Sequence, residues 1–146
     1  MSPLDGLQRA LAAEHAALHV IGALGARTSV SETPALHAEL TTSHDEHRDR
    51  RDELDALVRG LGGTPVAAEA AYDLPDGLGS PASVTGAALE VERRAQATYA
   101  WLVGQTSGEE RRFAITALTQ TAVRALAYRG SPEIFPGMAG ARTARR

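Results

Sequence analysis

The chain of 146 residues contains no cysteine, so disulfide bonds and thiolate metal ligands are excluded. Aromatic residues make up only 4% of the chain, whereas 43% of the residues are apolar and many of these are alanine. Runs of β-branched residues are scarce. Because alanine is the best helix former, this composition favours closely packed helices over a sheet.

Long apolar runs and an excess of basic residues are also missing. No apolar run approaches the roughly 20 residues that cross a bilayer, and the N-terminus lacks the basic and apolar segments of a signal peptide. The net charge is −3, the pI is about 5.9, and no basic stripe is interleaved with aromatic residues. We therefore expect a cytoplasmic protein that binds neither nucleic acid nor membrane.

Signals for helix starts occur at four places in the chain. They are Ser2-Pro3, Thr33-Pro34, Ser80-Pro81, and Ser107 followed by Glu110. The hydroxyl groups can accept free N–H groups of a first turn, and proline is tolerated at the first helical position. Glycines mark the corresponding ends. The predicted helices span residues 3–26, 34–60, 81–105 and 108–129.

The connection between the second and third helices, residues 62–79, is far longer than the other two connections. Eighteen extended residues can span roughly 60 Å, which exceeds the roughly 40 Å of a 27-residue helix. We therefore expect this link to run the length of a bundle. The prediction is an antiparallel four-helix bundle over residues 1–130 and a partly frayed C-terminal extension over residues 131–146.

Three helices place a polar residue on or beside the face that should be buried. Glu14 interrupts the apolar stripe of the first helix between Leu11 and Leu18, His47 lies on the stripe of the second, and Glu92 lies at the edge of the third. All three are near helix midpoints, which meet in an antiparallel bundle. A buried carboxylate is unfavourable unless it is paired, hydrogen-bonded or bound to metal. We therefore expect these side chains to converge.

Two arrangements could neutralise such a cluster. One is an ion-pair and hydrogen-bond network closed by Arg51 or Arg124, with Tyr99 next to Glu92 on the third helix. The other is a bound metal ion. We favour the network, because charged groups are rarely buried without partners.

The run of residues 48–55 alternates in charge and is typical of a solvated helix face. A contact of Arg48 or Arg50 with a phosphate or an acidic ligand is the lesser alternative. The sequence therefore predicts that these two arginines lie outside the buried cluster.

The same positions carry a resemblance to a known fold family. Glu14, His44-x-x-His47, Glu92 and the long crossover resemble the ferritin-like superfamily. The Glu-His-Ala-Ala at Glu14, the His-Arg-x-Arg-Arg-Asp at His47 and the Tyr-x-Leu-Pro at Tyr72 resemble a small branch of unknown function, common in high-GC bacteria. The resemblance implies an all-α, ferritin-like antiparallel four-helix bundle with one long crossover between helices two and three. In that fold four glutamates and two histidines bind two metals.

The chain departs from this metal-binding pattern at two helices. His44 stands where a glutamate is expected on the second helix, and the fourth helix reads Thr121-x-x-Arg124. The resemblance therefore implies that no two-metal centre forms, whereas a single Fe, Mn or Zn ion remains the alternative to the network. The ligands of such an ion would be Glu14, His44, His47 and Glu92.

These observations predict a non-catalytic binding or structural module with a degenerate metal site, and we assign no catalytic residue. The alternatives are oxygen or peroxide chemistry at a mononuclear or asymmetric metal site, and carriage of a small molecule in the bundle cavity. No cofactor is expected apart from the single metal ion of the first alternative. Trp101 and the Ile134-Phe135 pair offer apolar surface outside the core, which predicts a homodimer.

Overall fold

The computed structural model describes residues 1–129, 131 and 134–138, and it is all-α in that part of the chain. The helices are α1 (Pro3–Gly25), α2 (Pro34–Gly60), α3 (Pro81–Gln105) and α4 (Gly108–Arg129). The predicted helices are confirmed to within one residue at each end. None of these helices is long and apolar enough to cross a membrane. The predicted fraying of the last residues concerns 139–146, which lie outside the described part.

Serine side chains cap two of the helices. Ser2 and Ser80 each accept the backbone N–H of the residue three positions later, and the side chain of that residue accepts the N–H of the serine in return. Each pair satisfies two N–H groups at the helix start. The expected cap at Thr33 is wrong. Its hydroxyl instead accepts the N–H of Ser29 and donates to the carbonyl of the same residue.

Contacts between distant residues give the directions of the first two helices. Leu4 at the start of α1 packs against Gly63, just beyond the end of α2. Gly22 near the end of α1 lies beside His44 in the first half of α2. The two helices therefore run in opposite directions.

The third helix runs opposite to both α1 and α4. Gly6 at the start of α1 lies against Leu102 near the end of α3. On the other side, the Tyr99 ring of α3 packs edge-on against Phe113, early in α4, with 5.9 Å between ring centroids. Further back along α3, Gln96 reaches the later residue Thr121 of α4. Helices α2 and α3 consequently share one direction.

The long link lies along α1 and is held there by side chains of that helix. The amide of Gln8 donates to the Thr64 carbonyl at 2.6 Å and accepts the Val66 N–H at 2.9 Å. Further along α1, His15 Nε2 donates to the Val66 carbonyl at 3.0 Å. The ring of His19 lies 5.4 Å from that of Tyr72. The link therefore advances along α1 from its first turns towards its end.

The apolar core falls into two clusters, one towards each end of the bundle. The first comprises Leu7, Ala10, Leu11, Leu54, Val58, Ala95, Tyr99, Leu102, Phe113, Ala114 and Ala117. The second comprises Ile21, Leu24, Leu40, Val84, Ala88 and Tyr128. Between them along the helices lie the buried polar residues that we call the polar layer: Glu14, Ser43, His47, Arg50, Glu92, Gln96 and Thr121. The polar layer therefore lies at mid-height of the bundle.

Candidate functional site

Glu14 of the polar layer accepts hydrogen bonds from three side chains, although the residue is only 2% exposed. Its Oε2 accepts from His47 Nδ1 at 2.5 Å. Its Oε1 accepts from Arg50 Nε at 2.9 Å and from the Tyr99 hydroxyl. The carboxylate of α1 is thus neutralised by donors from α2 and α3, as a buried charge requires.

Arg50 connects all four helices through one guanidinium group, and its side chain is only 3% exposed. From α2 it donates to Glu14 of α1, and its Nη1 donates to the Gln120 side chain of α4 at 3.3 Å. Its Cζ also lies 5.9 Å from the ring centroid of Tyr99 on α3. A planar group with five N–H donors is suited to several partners at once.

The prediction that Arg51 closes the network is wrong, because this role belongs to Arg50. Arg51 pairs instead with its neighbour Asp52 at 2.7 Å, on the partly exposed side of α2. The sequence did contain the necessary signal. Arg50 follows His47 by three residues and precedes Leu54 by four, which is the spacing of one helix face. Because we assigned residues 48–55 to a solvated face as a block, we missed this spacing.

The prediction that Arg124 reaches Glu14 or Glu92 is also wrong. Arg124 Nη1 pairs with Glu39 at 2.7 Å, and its Nε lies 3.4 Å from Glu46. Both partners belong to α2, so Arg124 ties α4 to α2 at the flank of the bundle. Burial is the largest influence on Glu46 and raises the pKa of its carboxyl, although Arg124 and Arg50 oppose the shift.

His44 does not join the polar layer, so the structure does not bring it together with Glu14, His47 and Glu92, the other predicted metal ligands. Its side chain is 41% exposed, and its Nδ1 lies 4.0 Å from Asp45. His44 precedes His47 by three residues and is turned towards the flank, where it lies beside Gly22 of α1. The glycine has no side chain to push it inwards.

Glu92 is as deeply buried as Glu14 but has a different environment. Its side chain is fully buried, and its Oε1 lies 3.3 Å from His47 Nε2. Within the described residues, neither oxygen of Glu92 has a hydrogen-bond partner, and the same holds for His47 Nε2. The imidazole therefore stands between two carboxyl groups, with a short hydrogen bond on one side and a longer ion-pair contact on the other.

The opposite charges of Glu14 and His47 each stabilise the charged form of the other residue. Burial alone would lower the pKa of His47, but the charges of Glu14 and Glu92 and the hydrogen bond to Glu14 outweigh it and raise the pKa to about 9. Burial would likewise raise the pKa of Glu14, but His47 and Arg50 outweigh it and hold that pKa below its usual value. Burial, reinforced by the charge of Glu14, raises the pKa of Tyr99 well above its usual value. At neutral pH the imidazole is thus protonated, Glu14 is ionised and the phenol keeps its proton.

The fourth helix contributes hydrogen bonds to the centre rather than charges. Gln96 Nε2 of α3 donates to the Thr121 carbonyl at 3.2 Å. The Ser43 hydroxyl of α2 and the Tyr128 hydroxyl share a buried hydrogen bond of 2.7 Å. Burial raises the pKa of Tyr128 above its usual value. We did not predict either pair, since neutral residues carry little sequence signal.

The arrangement does not surround one metal position with three ligands. His47 directs Nδ1 towards Glu14 and Nε2 towards Glu92, so these carboxyl groups lie on opposite sides of its ring. An ion bound at either nitrogen would contact one carboxyl group and not the other. In the described part of the chain, no group of three or more His, Asp or Glu residues is placed to hold a metal ion.

A cavity of about 170 Å³ lies between α1 and α3, next to this cluster. Its lining is mostly alanine and valine, with Glu14 and Tyr99 on its inner wall and Arg94 among the lining residues. An apolar cavity of about 150 Å³ is large enough to hold benzene. The cavity thus offers room for a small ligand.

The architecture and the buried charges define an all-α four-helix protein with an ion-paired centre. The profile of the family described as a domain of unknown function (DUF4439) matches residues 6–140. The chain therefore belongs to this family.

One solved structure extends the comparison to three dimensions. It is the crystal structure of a conserved hypothetical protein from Mycobacterium tuberculosis. The two proteins share 29% sequence identity, and the match covers 86% of this chain and 93% of the other with a TM-score of 0.79. No curated protein gives a significant match. The comparisons therefore identify the family and a similar structure, but they name no activity.

Proposed function

We propose that the chain is a ferritin-like four-helix bundle in which an internal ion-pair network replaces the metal centre. In this proposal the protein acts as a non-catalytic binding or structural module. The opposed directions of neighbouring helices and the link along α1 support the ferritin-like assignment. The cavity between α1 and α3 is the place for a small ligand, because it is apolar and reaches the buried cluster.

One observation carries the proposal: the two carboxyl groups at the centre are matched by two cationic side chains. Arg50 and His47 converge on Glu14, and His47 also contacts Glu92. Guanidinium groups do not lose their proton in proteins. A divalent ion would therefore have to displace bonded donors and approach a fixed positive charge.

Metal titration of the wild type and of Glu14→Gln tests the proposal. We expect Mn, Fe or Zn to leave the melting temperature of the wild type unchanged. Without metal, Glu14→Gln should change the free energy of unfolding by about 1–3 kcal/mol, because charge-assisted hydrogen bonds are weakened. Glu53→Gln on the exposed side of α2 is the matched control and should behave as the wild type.

A single-ion site is the second candidate, and the unbonded atoms of Glu92 and His47 favour it. Both oxygens of Glu92 and the facing Nε2 could bind one Fe, Mn or Zn ion, with Glu14 orienting the imidazole from its far side. Such a site would be suited to oxygen or peroxide chemistry. In the same titration, saturating metal at a hundredfold excess over its dissociation constant would then stabilise the wild type by roughly 2.7 kcal/mol. Loss of that gain in Glu92→Gln would overturn the first proposal.

A further inference from the structure

Helix α4 exposes three large apolar side chains on the side that faces away from the core, beginning one turn beyond the exposed Arg111 and Arg112. Ile115, Val123 and Leu126 are 49%, 50% and 38% exposed. In contrast to α1 and α2, α4 carries its apolar residues almost evenly around its axis. The outward side of α4 therefore exposes apolar side chains that the described part of the chain does not cover.

The spacing on this side is symmetric about a point between Gln120 and Thr121. Ile115, Thr119, Ala122 and Leu126 follow one another at steps of four, three and four residues. If a second α4 runs antiparallel across the first, Ile115 faces Leu126 of the other copy and Thr119 faces Ala122. Two small residues at the centre let the helix axes approach closely, and the larger residues then pack at both ends.

The segment after α4 adds apolar side chains beside the contact between α3 and α4. A Cβ at Gly137 would lie 2.5 Å from the Gln96 carbonyl oxygen, so the segment lies directly on α3 at a point that Gln96 links to α4. Ile134, Phe135 and Met138 are 76%, 61% and 63% exposed. The side chains of Ile134 and Phe135 therefore remain at the surface, because the close contact with α3 is made by glycine.

We infer that this surface is the interface of a symmetric homodimer, and that its occupant is a second copy of the chain. The surface consists of Ile115, Thr119, Ala122, Val123, Leu126, Ile134, Phe135 and Met138. Its large side chains expose roughly 600 Å² in total at full areas on the order of 150–200 Å² each. A standard interface buries about 800 Å² per partner, so this surface supplies most of what a stable dimer needs.

Self-complementarity distinguishes a second copy from other occupants. A twofold axis between Gln120 and Thr121 of α4 would place Ile115 of each copy against Leu126 of the other, so both apolar ends of the surface form the same contact. Trp101, which we first assigned to the dimer surface, is less available, because the guanidinium of Arg9 lies 4.6 Å from its ring centroid. The interface is thus centred on α4 rather than on α3.

Charge substitutions at the paired positions test both the interface and its antiparallel geometry. Wild-type protein should scatter light as a particle of twice 15.3 kDa. Ile115→Lys and Leu126→Glu should each raise the dimer dissociation constant at least roughly tenfold, because each places unpaired charges in an apolar contact. An equimolar mixture of the two variants should recover a dimer through one Lys–Glu contact. Both positions are solvent-exposed in the single chain, so circular dichroism should show unchanged helix content.

Val30→Lys is the matched control, because Val30 is 69% exposed but lies between α1 and α2. It should remain dimeric. A monomeric wild type across the micromolar range would overturn the proposal, as would dimers that persist in both interface variants. Monomers that bind anionic phospholipid vesicles through Ile115 and Leu126 would instead make this surface a membrane-binding face. Failure of the mixed variants to associate would exclude the antiparallel pairing.

Discussion

The two buried glutamates of the polar layer have opposite surroundings at the same level of the bundle. Glu14 accepts hydrogen bonds from His47, Arg50 and Tyr99. Glu92 contacts one nitrogen of His47 at 3.3 Å and has no hydrogen-bond partner in the described residues. The comparison shows that burial alone does not determine what a charged group contributes, because the donors around it do.

The different surroundings of Glu14 and Glu92 have a geometric origin. Glu14 faces α2, where His47 and Arg50 are three residues apart on one side of the helix. Glu92 faces the same histidine from the other side of its ring, where no arginine of the described residues bonds to its oxygens. One cationic pair therefore satisfies Glu14 fully and Glu92 only in part.

Removing the guanidinium of Arg50 should produce the largest change in the free energy of unfolding. Arg50→Met keeps much of the side-chain volume but leaves Glu14 without its fixed positive partner. We expect a loss of about 3–5 kcal/mol in the free energy of unfolding, as measured by urea denaturation. Arg51→Met is the matched control and should change stability by less than about 0.5 kcal/mol, since its ion pair lies at the surface. Equal losses in both variants would contradict the central role of Arg50.

The protonation of His47 should have the next largest effect. Its pKa is about 9 in the folded protein against an ordinary value of 6.5, so the folded state binds the proton more tightly. The resulting stabilisation is complete below about pH 6.5 and is lost as the pH rises through about 9. Urea denaturation should show a loss of about 3 kcal/mol across that interval.

Two histidine variants show whether the loss of stability at high pH comes from His47 of the polar layer. His47→Gln should lack the pH dependence, whereas His15→Gln, whose side chain contacts the link, should keep it. A wild type whose stability is constant from pH 6.5 to 9 would mean that His47 is neutral when folded.

Neutralising Glu92 should produce the smallest change in the free energy of unfolding. Glu92→Gln removes a charge that has one long contact, so we expect the free energy of unfolding to shift by at most about 1 kcal/mol. Glu14→Gln, measured by urea denaturation under the same conditions, should have the larger effect. A reversed order would contradict the conclusion that Glu14 is bonded more strongly than Glu92.

Much of the fold could be predicted from short sequence signals. Proline after a hydroxyl residue and glycine near a helix end act locally, so the helix boundaries agree with the structure to within a residue. The burial of Glu14, His47 and Glu92 also followed from helical periodicity. We did not predict the exposed apolar residues of α4. In the sequence they are mixed with the apolar residues that face the core, so the two sets do not form separate stripes.

The partners of the buried residues were harder to predict than their burial. Periodicity places a residue on a helix face to within tens of degrees, whereas a hydrogen bond depends on rotamers and on helix separation. Arg50, Arg51 and Arg124 are all long enough to reach the centre. Only the three-dimensional arrangement shows that Arg50 does so and that Arg124 meets Glu39 and Glu46.

The polar layer also has a consequence for how the helices slide against one another. Alanine-rich surfaces are smooth, and a shift of one turn along a neighbour would exchange one small apolar contact for another. The same shift would move Arg50 about 5.4 Å from Glu14 and leave both charges buried without partners. We infer that the hydrogen bonds at mid-height fix the axial register of the bundle, a task that its small apolar side chains are too uniform to perform.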